Sequence, residues 1–492
     1  MSPNLHWQKS SKGVWERDLD ECEKFYYLSA RKENGCLPVT GCASFIDSTR
    51  TTENNRVEAA FRSAWTSLRH RHPTLASHVQ YDEYTDRWRR VYSSPGNSDE
   101  VRQWLTSTFH VLDSVGDELQ WFNQHAPTFK DSSIFLVQGQ PSFHYTLFLR
   151  CPHDVIDGVG ILLLVNQLFD YASRAYDQED KYAAPEWGSE GVNLSPCLRV
   201  AANVQTLSDA QSKRLADIQS KNGALYNHPG LLGLPTSSVP VPSTPGRRER
   251  LSFTIPKRAT EQILQLSKSI SPGVSVTHVF MAALALALSE VQPREENPQF
   301  FRYVNHSMIN LRPYLNRPYD GPDHAAATYH TISAQALGID VVVPDSSTSE
   351  KSENKENRLS QIATRVRDFY KLIRPDQLST VATHDQIGFA PSIFKIFTPA
   401  SGVDPHAVSE PIFSSVSLSS IGNISSIVAT KYCPLELENV WVASEPIGAA
   451  VALFLGTWDE KIELSAVFDN RYHEADYIES FLRRIVNCVG TV

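Results

Sequence analysis

What the chain lacks narrows the possibilities first. Its 492 residues include seven cysteines (Cys22, Cys36, Cys42, Cys151, Cys197, Cys433 and Cys488), with no C-x-x-C pair and no repeating interval. Neither a disulfide framework nor a metal site is expected, and a reduced compartment is the simplest reading. Positive charge is in deficit, with a formal net charge of −9. That disfavours nucleic acid or an acidic membrane surface as partner, although a local basic cluster could still hold a polyphosphate. Apolar runs are short: residues 280–288 are among the longest and cannot span a bilayer. The polar start, MSPNLHWQKSSKGVWERD, has no secretory apolar core. A cytoplasmic protein with no membrane insertion is expected, working as a monomer. Four catalytic or nucleotide-binding signatures are also missing. There is no G-x-S-x-G for a serine hydrolase, no H-E-x-x-H for a zincin, and no phosphate loop or G-x-G-x-x-G.

What is present fits a globular protein, with 41% apolar and 21% charged residues and a length that calls for two domains. Residues 143–174, FHYTLFLRCPHDVIDGVGILLLVNQLFDYASR, organise the rest. The first nine are rich in aromatic and other apolar residues and predict a strand. The last fifteen are apolar on nearly every face and predict a buried helix. Between them the turn Pro152-His153-Asp154-Val155-Ile156-Asp157-Gly158 sets an imidazole at the end of a buried strand. A histidine held there, facing a cleft, suits a general base working near neutral pH.

The remaining elements can be read in order. Residues 24–30 (KFYYLSA) gather three aromatics, against the core or over a substrate channel, with the core favoured. A strand is predicted over 37–46, then, after capping residues at 47–49 and 51–52, a helix carrying Val57, Ala60, Phe61, Trp65 and Leu68 to His70, stopped by Pro73. His70 and His72 belong to that helix terminus. Strands are expected at 87–92 and 133–138, with 104–122 as helix or loop between them. Residues 180–200 are read as surface chain and 202–221 as helix. The Pro/Ser/Gly-rich stretch 230–247 reads as a crossover linker. Then come a strand at 249–255, helices at 260–269 and 274–290, and a strand at 300–310. Strand-like segments follow at 412–418, 445–455 and 461–468, and a last helix at 475–489. Residues 345–357, DSSTSEKSENKEN, have no apolar side chain and predict a mobile, dispensable surface loop.

His153, Asp157 and Gly158 reproduce the HxxxDG signature, and with this strand and helix the chain resembles the CoA-dependent acyltransferase superfamily. That superfamily includes chloramphenicol acetyltransferase, plant BAHD enzymes, peptide-synthetase condensation domains and fungal trichothecene acetyltransferases. RHPTL after the first long helix, VSVTHVFMAALALAL, NLRPYL and the closing LSAVFDNRYHEADYIESFLRRI extend the likeness over nearly the whole chain. Within the superfamily it is most similar to enzymes of the trichothecene 15-O-acetyltransferase type.

The resemblance implies an α/β fold of two chloramphenicol acetyltransferase-like domains, each a mixed sheet flanked by helices, with a tunnel between them. Their expected limits are 1–225 and 249–492, joined by a linker at 226–248. It implies acyl transfer from a thioester to a hydroxyl, with acetyl-CoA as co-substrate, no permanently bound cofactor and no metal. His153 would be the base. Asp157 would pair with Arg312 of Asn310-Leu311-Arg312-Pro313, and Gly158 would allow the turn. The DFGWG of BAHD enzymes is absent. Residues 416–423, VSLSSIGN, resemble the S-N-x-G segment of condensation domains and make Ser419, Ser420 or a backbone N–H near Gly422 oxyanion candidates. Lys257, Arg258 and Lys268 are candidates for the CoA phosphates. Two alternatives stay open: a condensation-type enzyme served by an acyl carrier protein, and a condensation-like cyclase or pericyclase without thioester chemistry.

Overall fold

The computed structural model describes residues 3–31, 35–50, 54–112, 118–237, 246–346, 352–374, 380–400, 402–407 and 413–490. Within these, two mixed sheets carry the architecture. The first has six strands, in the order Lys431–Tyr432, Leu435–Ser444, Pro38–Asp47, His144–Pro152, Ser133–Gln138 and Phe109–Leu112. All its pairs are antiparallel except the last, Phe109–Leu112 with Ser133–Gln138. Helices Asn54–Arg71 and Gly158–Gln178 pack together on this sheet. Phe169 meets Phe45 and Phe61 edge-on, with ring centroids 5.1 Å apart in both pairs, a geometry that adds to simple burial.

The second sheet has the order Arg248–Ile255, Lys461–Asp469, Val451–Trp458 and Val416–Asn423, the last pair parallel. Helix Val276–Glu290 is buried continuously from His278 to Ser289. It lies among helices Lys257–Ile270, Ser352–Ile373 and Ala475–Val489. The last of these turns Ile478, Phe481, Leu482, Ile485 and Val486 inward, each such side chain contributing about 1.5–3 kcal/mol by burial. No helix among the described residues is long and apolar enough to cross a membrane.

Several sequence expectations need correction. Strands Lys431–Tyr432 and Leu435–Ser444, unforeseen, place part of the 249–492 segment in the sheet of the 1–225 segment. The register of Leu435–Ser444 against Pro38–Asp47 buries Trp441 and Val442, and that pairing outweighs the polar look of 436–439. Within 104–122, Phe109–Leu112 is an edge strand of the first sheet. The strand expected over 445–455 begins only at Val451. Part of the linker is structured, since Leu234–Pro235 pairs with Phe413–Ser414; residues 238–245 lie outside the described residues. Of the loop at 345–357, residues 347–351 also lie outside them, but a helix begins at Ser352. Lys355 bonds Glu290 at 2.7 Å. Its helical start is carried by the apolar face further on, Leu359, Ile362, Ala363 and Val366, which a composition scan ending at 357 does not see. Helix Thr380–Phe397 was likewise not expected.

Candidate active site

Strand His144–Pro152 ends opposite Pro38, where two prolines in register leave no ladder donor on either side. The chain then turns, and its polar groups find fixed partners. His153 N donates to Leu37 O at 2.8 Å and Val155 N to Pro152 O at 3.0 Å. Thr328 Oγ1 donates to His153 O at 3.1 Å. The imidazole is 8% exposed, and its Nδ1 is sealed from solvent, which leaves Nε2 to meet a substrate. One face lies flat on Tyr26, ring centroids 3.7 Å apart and planes 11° apart. Burial first, and then His330, push the His153 pKa down to about 3, so at neutral pH the ring carries no charge and can accept a proton.

Asp157 points the other way. It caps helix Gly158–Gln178 through Gly160 N at 2.7 Å and accepts from Tyr329 N at 2.7 Å. Arg312 Nη1 donates to both carboxylate oxygens, at 2.7 and 2.6 Å, and Arg312 Nη2 donates to Ala327 O at 3.0 Å. Burial alone would raise the Asp157 pKa, but the adjacent guanidinium overrides it and holds the carboxyl far below the usual range. This carboxylate does not titrate near neutrality, and its oxygens are already occupied. It ties the motif to the second half of the chain.

A second clamp holds the same turn from behind. Arg90 Nη2 donates to Asp154 Oδ2 at 2.7 Å and to Asp154 O at 2.9 Å. Its Nε reaches Glu23 at 3.1 Å, and Glu23 is also bound by Arg17 at 2.6 and 2.7 Å. The four charges are buried.

His153 faces a chamber of about 350 Å³. Phe25, Tyr26, Leu37 and Val39 line it from the first half, and Met308, His330, Ile332, Ile421 and Ile447 from the second. Ser419 and Ser420 are on its wall. The Ser420 hydroxyl is shared with Thr277 Oγ1 at 2.8 Å. Gly422 is not on that wall. It sits past a register shift in strand Val416–Asn423 with φ of 83°, so its backbone turns off the line that Ser419 and Ser420 follow. Gly158 lines the chamber, but its backbone is not left-handed, and an added Cβ would meet only Ile421 at 3.5 Å. The turn therefore does not require it. Gly160 is the constrained glycine: a Cβ there would lie 2.4 Å from Ala325 O and 2.9 Å from Arg312 Nη2. Lys257, Arg258 and Lys268 are exposed on helix Lys257–Ile270 and none lines the chamber. Lys257 is paired with Glu460. An amphipathic helix puts its cations on the solvent face, which is where these three lie.

Tyr26 and His330 escaped the sequence reading as site residues. The aromatic cluster at 24–30 serves both core and channel, since Phe25 and Tyr26 are buried and also line the chamber. His330 stands in a short strand, His330–Ile332, with no motif around it. Arg90 carried no signal beyond its place in a predicted strand.

With its mixed sheets flanked by helices, this chain has the two-lobed condensation and chloramphenicol acetyltransferase-like fold. Curated relatives include an O-acetyltransferase and an acetyltransferase of a fungus. O-acetyltransferase pigM of Monascus ruber is 25% identical over 98% of this chain and 86% of its own. Acetyltransferase pigO of the same organism is 25% identical over 66% of this chain and 67% of its own. Among solved structures, trichothecene 15-O-acetyltransferase from Fusarium sporotrichioides superposes with a TM-score of 0.80 at 16% identity, covering 99% of this chain and 98% of that one. The first condensation domain of the calcium-dependent antibiotic synthetase gives 0.59 at 13% identity, over 96% and 95%. No family model matches the chain.

Proposed function

We propose that the protein transfers an acetyl group from acetyl-CoA to a hydroxyl of a small, largely apolar fungal secondary metabolite, such as a terpenoid or polyketide, with His153 as the general base. The observation that carries this is the place of His153, uncharged and fixed, on a chamber to which both halves contribute. The apolar lining suits an acceptor that exposes one hydroxyl to the imidazole and buries the rest.

The alcohol proton passes to His153 Nε2 as the alcohol oxygen bonds to the thioester carbon. The carbonyl electron pair moves onto its oxygen. On collapse the C=O re-forms, the C–S bond breaks, and the leaving thiolate takes the proton back from His153. Asp157 takes no part in proton transfer, because Arg312, Gly160 and Tyr329 occupy it. Ser419 and Ser420, both on the chamber wall, are the oxyanion donors of this reading.

The test is thiol release from acetyl-CoA with a panel of hydroxylated terpenoids and polyketides. General-base catalysis supplies about two to four orders of magnitude, so His153→Ala is expected to lose at least a hundredfold in turnover with an unchanged melting temperature. A folded variant keeping more than a tenth of wild-type turnover would overturn the assignment.

A further inference from the structure

The chamber holds a second histidine that the proposed reaction does not use. His330 is 7% exposed. Its Nε2 lies 2.6 Å from the Tyr26 hydroxyl, and its Nδ1 faces Asp157 Oδ2 at 3.8 Å. At that distance no hydrogen bond joins them, but the neighbouring carboxylate's negative charge favours the tautomer with the proton on Nδ1. That makes Nε2 the acceptor and the Tyr26 O–H the donor. Tyr26 in turn lies flat on His153 at 3.7 Å. One hydrogen bond thus joins His330, beside the Asp157–Arg312 pair, to the ring that covers the imidazole.

Packing alone does not account for this pair. A phenylalanine at 26 and an aliphatic residue at 330 would fill the same space without burying a phenol and an imidazole, which costs free energy unless the two are bonded to each other. Phe394 closes the other side of His330, ring centroids 5.9 Å apart, and Phe25 stands edge-on to Tyr26 at 4.8 Å. With Phe25 and Phe394 walling the pair in, the O–H···N bond is what selects one rotation of the phenol. We propose that His330 and Tyr26 are positioning residues: His330 holds the Tyr26 hydroxyl so that the phenol ring stays flat against the His153 imidazole and fixes its angle toward the acceptor hydroxyl.

The proposal rests on His153 as base. The titratable or charged groups facing the trio are Cys22 on the Tyr26 helix, Asp157 with Arg312 behind it, and Glu445 on the chamber wall. Loss of one hydrogen bond that orients a reacting group is expected to cost about tenfold in rate. With acetyl-CoA and either water or the best alcohol of the panel as acceptor, Tyr26→Phe and His330→Leu should each lower kcat about tenfold. KM for acetyl-CoA should stay within about twofold. The double variant should be no worse than the poorer single, since both break the same hydrogen bond. His330→Gln, whose amide oxygen can accept the phenol proton, should recover most of the loss.

Wild-type kcat in Tyr26→Phe, multiplicative losses in the double variant, a change confined to KM, or no recovery in His330→Gln would each overturn the proposal. If His330→Leu fails to fold, Tyr26→Phe and His330→Gln carry the test. An active His153→Ala would defeat the base assignment itself. An inactive His153→Ala beside an unimpaired Tyr26→Phe would defeat only the positioning role.

Discussion

Removing Arg312 should destabilise the protein before it does anything else. The Arg312 and Asp157 side chains are each 4% exposed, so Arg312→Ala leaves a carboxylate in the interior with only Gly160 N and Tyr329 N as donors. Breaking one side of a buried pair costs about 3–5 kcal/mol. Asp157→Ala should be somewhat worse. It strands the guanidinium and also removes the helix cap, worth about 1 kcal/mol. At about 2.1 cal/mol/K of unfolding entropy per residue, a cooperative chain of this length melts about 1 °C lower for each kcal/mol lost. Melting temperatures about 3–6 °C below wild type are therefore expected. The double variant should match the poorer single, because the second substitution removes the group that the first left unpaired. The pH dependence has a definite sign. The folded carboxyl lies below its unfolded value of about 3.9, so the pair's contribution is complete above that pH and fades as pH falls below it. Without the cation, burial raises the Asp157 carboxyl in Arg312→Ala, so the gap between wild type and variant should be largest at high pH and shrink as pH falls through that raised value into acid. Denaturant titrations of the four proteins from high pH into acid are the assay. Losses that add to within about 0.5 kcal/mol, or a gap that widens in acid, would refute a buried, ionised pair.

Two further outcomes follow from the turn around His153. Gly160→Ala forces a methyl to within 2.4 Å of Ala325 O and should cost about 1–3 kcal/mol by overpacking. Gly158→Ala meets only Ile421 at 3.5 Å, so its melting temperature should hold while the chamber narrows and acceptor KM rises; equal destabilisation of the two, by calorimetry, would contradict this contrast. Arg90→Met leaves Asp154 buried without its cation, and is expected to lower stability by about 3–5 kcal/mol and kcat with it, at unchanged KM for acetyl-CoA. A stable variant with full turnover would detach this clamp from the placement of His153.

Much of the local structure was written in the sequence. Helix Ala475–Val489 and strand Ser133–Gln138 have the limits that their periodicity predicts. The strand–turn–helix around His153 is equally local, because each part is set by its own side chains: aromatic and apolar residues in the strand, a proline at its end, and an aspartate that caps its own helix. His153 could be singled out for that reason alone.

What the sequence could not settle depends on neighbours far along the chain. Strand Leu435–Ser444 looks half polar, and only its place beside Pro38–Asp47 makes Trp441 and Val442 interior. Lys257, Arg258 and Lys268 offered charge without direction, and the packing of their helix turned them away from the chamber. Glycine at 158 matched a pattern, yet the steric demand falls on Gly160, where Ala325 and Arg312 close in from some 150 residues away. Tyr26 and His330 lie 304 positions apart. A hydrogen bond across that distance leaves no periodicity in sequence, because it is made only when folding brings the two side chains against the same imidazole.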